Sequence, residues 1–456
     1  MSPILSPPAH ARALVVLALP LIGSHVAQVM LQVTTTIMLG WYGVEELGAG
    51  VLATSTFMIL FFLGSGFAQA VLPMASASLA LGDERQVRRD VRMGMWLSIG
   101  FGLLVIPLFW HGSALLRLFG QSPQIADLGQ DFMRIAGFGM IPALLVMVMK
   151  SFLAAQGRAQ VVLWVTVAAA VINVGINWLL IFGNWGAPEM GVRGAAVSSL
   201  SVQLFSSLVL ALWVGLHPLF RRFSIFVRFW RPDPAALAKV WSLGWPIGLT
   251  MLMEGGLFNA AAMMMGWIGT VELAAHGIAL EITALTFMIH VGLSNAATVR
   301  AGHAHGLGDL PGLRRGAWVA LVVGQMVAMC VIAAFLLVPD HLLRLFLDAD
   351  NPRAGQIIAY GQVLLMMAAL FQVADAAQVM AMGLLRGIQD TRVPMFMAIF
   401  CYWCVGIPCS YLMAFHFGWG GVGLWAGLVV GLTLAAICML ARFRSLVRGD
   451  MPPATA

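Results

Sequence analysis

Residues 20–48, PLIGSHVAQVMLQVTTTIMLGWYGVEELG, and residues 246–274, PIGLTMLMEGGLFNAAAMMMGWIGTVELA, align without a gap at a shift of 226. Pro20 meets Pro246, Gly40-Trp41 meets Gly266-Trp267, Gly43 meets Gly269, and Glu46-Leu47 meets Glu272-Leu273. The register holds further along, where Gly66 pairs with Gly292, Leu81-Gly82-Asp83 with Leu307-Gly308-Asp309, and Arg88-Arg89 with Arg314-Arg315. One residue later in register, LLRLF at 115–119 recurs at 342–346, and Gly157 corresponds to Gly387 after a few inserted residues. The chain is therefore a tandem repeat, and both copies are strongly apolar.

The apolar character sets the class. Of 456 residues 61% are hydrophobic and 10% charged, with a mean hydropathy of +0.91, against roughly 25% charged in a soluble domain. That balance excludes an ordinary soluble protein and a disordered one and leaves a polytopic membrane protein. A spanning helix needs about 20 apolar residues. Spans are predicted near 14–40, 46–72, 92–115, 131–153, 160–183, 192–216, 241–267, 271–299, 316–339, 355–384, 393–417 and 421–441.

The fold class is thus all-α, with twelve transmembrane helices in two pseudo-symmetric six-helix lobes. Six is even, so the copies share one orientation and are related by an axis along the membrane normal. The expected division is an N-lobe over 1–215, a cytoplasmic linker over 216–240, a C-lobe over 241–445 and a cytoplasmic tail over 446–456. The linker contains FRRFSIFVRFWRPDP, basic and aromatic residues that suit a segment lying at the inner membrane surface.

The net charge of +6 is spread between the apolar stretches and not gathered into a nucleic-acid footprint. It orients the chain instead. With the N-terminus in the cytoplasm only Arg117, Arg134, Arg193, Arg344 and Arg353 fall outside; the other twenty of the twenty-five Lys and Arg, Lys150 and Arg386 among them, lie in cytoplasmic segments. Both termini are expected to be cytoplasmic. Five cysteines, all inside apolar runs, do not resemble a disulfide framework. The stretch PPAHARA precedes the first apolar run, so that span is expected to stay in the mature protein.

Within the spans only three carboxylates are expected: Glu254, Glu281 and Asp375. An acid in hydrocarbon costs at least a few kcal/mol, so it normally faces a bundle interior or an aqueous path and marks an ion or substrate route. Glu254 lies halfway along span seven and Asp375 deep in span ten, with Gln378 one turn further on the same face. Their repeat partners carry no charge: Glu254 corresponds to Gln28, and Asp375 falls opposite an apolar stretch around Leu145. In the first lobe His25, Gln28, Gln32 and Thr35 share a helical face, as do Asn173 and Asn177. Such stripes ordinarily supply interhelical hydrogen bonds, and His25 is the one titratable side chain among them.

Three further features have structural readings. Pro20 and Pro246 interrupt spans one and seven at matched positions, near the end of each span where proline is tolerated. Gly423, Gly427 and Gly431 predict a close helix contact in span twelve. His303 and His305 lack further ligands, and no metal site is predicted from them.

The chain resembles the multidrug and toxic compound extrusion (MATE) family, in its bacterial NorM-like branch. The resemblance is carried by TTTIMLGWYG in span one, AAHGIALEI and GLSNAATVRAGHAHG in span eight, GLLRGIQDTRVPM after span ten and GGVGLWAGL at span twelve. It implies a secondary antiporter of the bacterial inner membrane that expels cationic, amphipathic compounds in exchange for inward Na⁺ or H⁺ by alternating access. It implies no enzyme activity, no cofactor beyond the coupling ion, small organic cations and the lipid bilayer as partners, and a monomer.

On the resemblance, Glu254 and Asp375 match second-lobe acidic positions, with Na⁺ at that pair as one expectation. Asn173 and Asn177 look like the asparagines of a first-lobe cation site, with Ser198 near a hydroxyl position. The aspartate usually expected in span one is replaced by Thr35, and Phe371 stands where a tyrosine is frequent. Neutral oxygens alone hold a bare cation less well than a set that includes a carboxylate, so ion coupling is expected at Glu254 and Asp375. Two other readings remain open from the residues. A lipid-linked oligosaccharide flippase would need basic residues along its cavity, and none is expected mid-span; an integral-membrane transferase would have only His290, His303 and His305 to work with.

Overall fold

The computed structural model describes residues 6–118, 120–346 and 352–449. Phe119 of the first LLRLF, residues 1–5 and the part of the expected tail beyond Gly449 lie outside the described residues. Twelve helices are long and apolar enough to cross a membrane. They are α1 (Pro7–Tyr42), α2 (Val44–Ala80), α3 (Glu84–Trp110), α4 (Pro123–Ala155), α5 (Ala159–Phe182) and α6 (Val192–Leu216) in the first half. The second half holds α7 (Pro234–Ile268), α8 (Thr270–Gly306), α9 (Leu310–Leu337), α10 (Ala354–Gly387), α11 (Arg392–His416) and α12 (Gly420–Arg448). No strand occurs among the described residues.

Most helices outrun their apolar stretches, because polar caps and not the edge of the hydrocarbon stop them. Asp83 accepts from the Gln86 amide at 2.9 Å to start α3, and Asp309 accepts from the Gly312 amide at 2.9 Å to start α9. Each follows a glycine with positive φ, Gly82 at 71° and Gly308 at 67°, a conformation that other residues adopt at a cost. Glu46 and Glu272 likewise fold back over Gly43 and Gly269 at the starts of α2 and α8. The repeat seen in the letters is thus a repeat of caps and turns.

Two compact units result: residues 23–249 form one, and residues up to Ile22 together with those from Thr250 on form the other. This differs from a plain division at the linker. The first turns of α1 group with the second half, and the stretch from Pro234 to Leu249 groups with the first half. Glycines make the exchange possible. A Cβ on Gly66 of α2 would land on the backbone of Gly244 and Gly248 in α7, and one on Gly292 of α8 would land on Ile22 in α1, on its side-chain Cγ1 and then its backbone nitrogen. These are repeat-equivalent contacts, since Gly66 pairs with Gly292 and Ile22 with Gly248 at the same shift.

Within the first unit α2 packs on α3 and α4, and α5 on α6; within the second α10 is central, touching α8, α9 and α12. The linker does not lie on its own as a surface segment. Phe220, Phe223 and Ile225 are buried, and Arg92 of α3 donates to the carbonyls of Ile225 at 2.8 Å, Ser224 at 3.3 Å, and Val227. Its apolar residues found a protein partner in α3. In α11, two stretches, Phe400–Gly406 and Leu412–His416, take the wider π-helical turn. Gly423, Gly427 and Gly431 of α12 lie against the α11 backbone at Met413, Ser410 and Gly406, the close contact their spacing predicts. Large exposed apolar side chains such as Leu104, Trp164 and Leu337 cover the outward faces, as lipid contact demands.

Candidate functional site

In the second unit the long, uninterrupted α10 carries Asp375, Gln378, Met382 and Arg386 at positions i, i+3, i+7 and i+11, one stripe along the helix. Asp375 is fully buried, and neither carboxylate oxygen has a hydrogen-bond partner. Both polar atoms of the Gln378 side chain are also buried without one. Gln372, on the same helix, donates to the Thr286 hydroxyl at 2.5 Å while its carbonyl oxygen is unmatched. Buried polar atoms are nearly always paired, so a cluster of unmatched ones calls for a ligand or a function.

Glu254 of α7 belongs to the same cluster, because it and Asp375 act electrostatically on one another. Two groups that the sequence reading did not select complete it. Tyr402 feels the charges of both Glu254 and Asp375, and its buried hydroxyl has no partner. Arg386 interacts with Glu254 and with Tyr402, and donates to the Met382 sulfur at 2.9 Å. Tyr402 sits in a π-helical stretch, a deviation that often accompanies functional sites. Nothing in FCYWC reveals that turn. Arg386 lies in the last turn of α10 and is half-buried.

The floor is aromatic. Phe371 packs edge-on against Phe258, with ring centroids 6.0 Å apart, and against Trp425 at 5.8 Å. The Trp425 indole donates to His276 at 3.1 Å. Phe371 therefore supplies packing and no hydroxyl. Glu281 is exposed on α8 and is not among the charges acting on Glu254, Asp375 or Tyr402; the structure does not bring it into the cluster.

In the first unit, Thr35, Asn173, Asn177 and Ser198 do meet. Asn177 donates to the Thr35 hydroxyl at 3.0 Å and to the Asn173 carbonyl oxygen at 3.1 Å, and Asn173 donates to Ser198 at 3.1 Å. Thr35 also donates to the Asn173 side-chain oxygen at 3.3 Å. The four satisfy one another, leaving only the side-chain oxygen of Asn177 without a partner. The polar stripe of α1 therefore splits, since His25 and Gln28 turn to a different neighbour and Gln32 is exposed.

That neighbour is Lys150. Near the end of α4, it is 4% exposed, with its ammonium 3.4 Å from both the His25 Nδ1 and the Gln28 Oε1. Lys150 is not mid-span, but its side chain is packed against α1 and not open to water.

Twelve such helices in a tandem repeat, with an unmatched acidic cluster buried in one half, define a membrane transporter architecture. The MatE family model matches residues 20–179 and again 246–412, the two copies of the repeat. The chain is 42% identical over 441 residues to the protein named "Probable multidrug resistance protein NorM" of Rhizobium meliloti (strain 1021), covering 97% of this chain and 94% of that one. It is also 42% identical over 445 residues to the protein of the same name from Agrobacterium fabrum (strain C58 / ATCC 33970), covering 98% and 96%. A solved structure described as the outward-facing conformation of a multidrug resistance MATE family transporter of the MOP superfamily shares the fold. Its TM-score is 0.87 at 21% identity, over 96% of each chain. The chain belongs to the MatE family and groups there with the proteins named NorM.

Proposed function

We propose that the protein is a secondary antiporter of the bacterial inner membrane, with both termini cytoplasmic. It exports cationic, amphipathic compounds in exchange for inward H⁺ or Na⁺. The observation that carries this is Asp375, a fully buried carboxylate whose two oxygens have no partner, sharing its field with Glu254. The relatives' multidrug-resistance names support the substrate class.

The mechanism follows from charge. Two acids and one resident cation, Arg386, leave the cluster in need of one positive charge when both acids are ionised. A proton or a sodium ion supplies it from one side of the membrane, and an organic cation competes for it from the other. Gln378 and Tyr402 offer uncharged oxygens for whichever cation is bound. Thr35, Asn173, Asn177 and Ser198 hold the first unit together as a hydrogen-bonded set. Efflux of a fluorescent organic cation from proteoliposomes, under a Na⁺ gradient alone, a pH gradient alone and neither, tests the reading and selects the ion. Equal rates in all three conditions would refute antiport.

A further inference from the structure

The repeat that places acids in the second unit places the opposite polarity in the first. At the shift of 226 Glu254 corresponds to Gln28, and after the inserted residues that set Gly157 opposite Gly387 Asp375 falls opposite Leu145, just over one turn before Lys150 on α4. The equivalent of Glu254 is thus a glutamine, and a lysine lies just over a turn beyond the apolar equivalent of Asp375. In the structure these two touch: the Lys150 ammonium lies 3.4 Å from the Gln28 Oε1, with the His25 Nδ1 at the same distance.

This lysine lacks what buried lysines need. It is 4% exposed, yet none of the six ion pairs among the described residues includes it. No carboxylate acts on it electrostatically; His25 is the one titratable group found to interact with it. Both of its contacts are longer than the usual N–H···O distance of about 2.9 Å, and an ammonium has three donors. A buried cation without an anion is costly. The arrangement is explained when an anionic oxygen group arrives to complete it.

We infer that Lys150, with Gln28 and His25, is a binding site for the carboxylate of an exported compound. One ammonium flanked by neutral groups balances one negative charge, which fits a carboxylate and not a pyrophosphate. The carboxylate accepts from the Lys150 ammonium, a charge-assisted hydrogen bond stronger than either present contact, and the Gln28 amide NH₂ is a second donor beside it. The inference rests on the export reading above, and the test separates the two.

The probes are a rhodamine that bears a free carboxylic acid and its methyl ester, which share one fluorescent cationic ring system. Their binding to the purified full-length protein is followed by fluorescence anisotropy. Loss of a charge-assisted hydrogen bond in Lys150→Gln is expected to weaken the acid about tenfold or more, leave the ester within about twofold, and be largely restored in Lys150→Arg, because charge is what the site supplies. The unchanged ester shows that the variant is folded. A parallel shift of acid and ester, no shift of the acid, or wild-type protein that binds no acid would each overturn the site. Loss of the Lys150 effect on adding phosphatidylglycerol would assign the lysine to a lipid headgroup and overturn it as well. If the acid-selective loss is found but wild-type proteoliposomes move neither dye under any gradient, the anion site stands and the export reading falls.

Discussion

Asp375 and Glu254 are the residues on which transport turns, and their removal separates chemistry from folding. Glu254→Gln and Asp375→Asn keep size and hydrogen-bonding capacity while deleting the charge. Each is expected to reduce ion-driven export at least tenfold at equal membrane levels, about 1.4 kcal/mol or more in the rate-limiting barrier, as measured by dye efflux from proteoliposomes. Both acids were legible in the sequence because a carboxylate in an apolar run stands out. Their partners were not. Tyr402 is one aromatic among several in FCYWC, and its role depends on a π-turn that no pattern of letters announces. Lys150 and Arg386 sit close to the ends of their helices, where a basic residue is ordinarily assigned to the water side.

Helices α2 and α8 are held in place where glycine lets another backbone approach. Gly66→Ala and Gly292→Ala each put a methyl group into main-chain atoms that have no flexible end to move. Each is expected to destabilise by about 1–3 kcal/mol, seen as a lower melting temperature of the purified protein, and the similarity of the two losses is itself a test of the repeat. The glycine pairing was visible as a match between halves; which backbone each glycine meets was not, because the contact crosses from one repeat to the other.

The start of α7 offers a pH-dependent test. Asp233 accepts from the Ala236 amide at 3.1 Å and pairs with Arg89 of α3, whose guanidinium holds the Asp233 carboxyl below its usual range. A lowered carboxyl pKa contributes stability above the unfolded value of about 3.9, which is lost as pH falls through the lower folded value. Asn is an equally good cap, so Asp233→Asn removes only the charge. The wild-type advantage in melting temperature is expected to be constant between about pH 7 and 5, to shrink below about pH 4, and to vanish once Asp233 is protonated in both states. The pair is partly open to solvent, so the advantage is less than about 1 kcal/mol.

For the whole molecule, the distribution of Lys and Arg sets an orientation that reporter fusions can check. A reporter active only outside the cytoplasm is expected to work when fused in the 183–191 segment between α5 and α6 and to be silent in the 81–83 segment between α2 and α3; the reverse pattern would invert the protein. Span number, lobe count and internal symmetry were all legible, because hydrocarbon imposes a length on every crossing and duplication leaves matched letters. The packing of the linker on α3 was not legible, since basic-aromatic composition suits a membrane face as well as it suits a docked loop clamped by Arg92.

The traded segments have a consequence for how such a chain is built. Ile22 and the turns before it complete the half that follows the linker, while 234–249 complete the half that precedes it. Neither half is a finished object. Expressed as two polypeptides cut within the linker, each would be left with a missing strip on its own surface and an orphaned strip looking for a host. Each alone is expected to be cleared by proteolysis, whereas the two together should be recovered as a one-to-one complex.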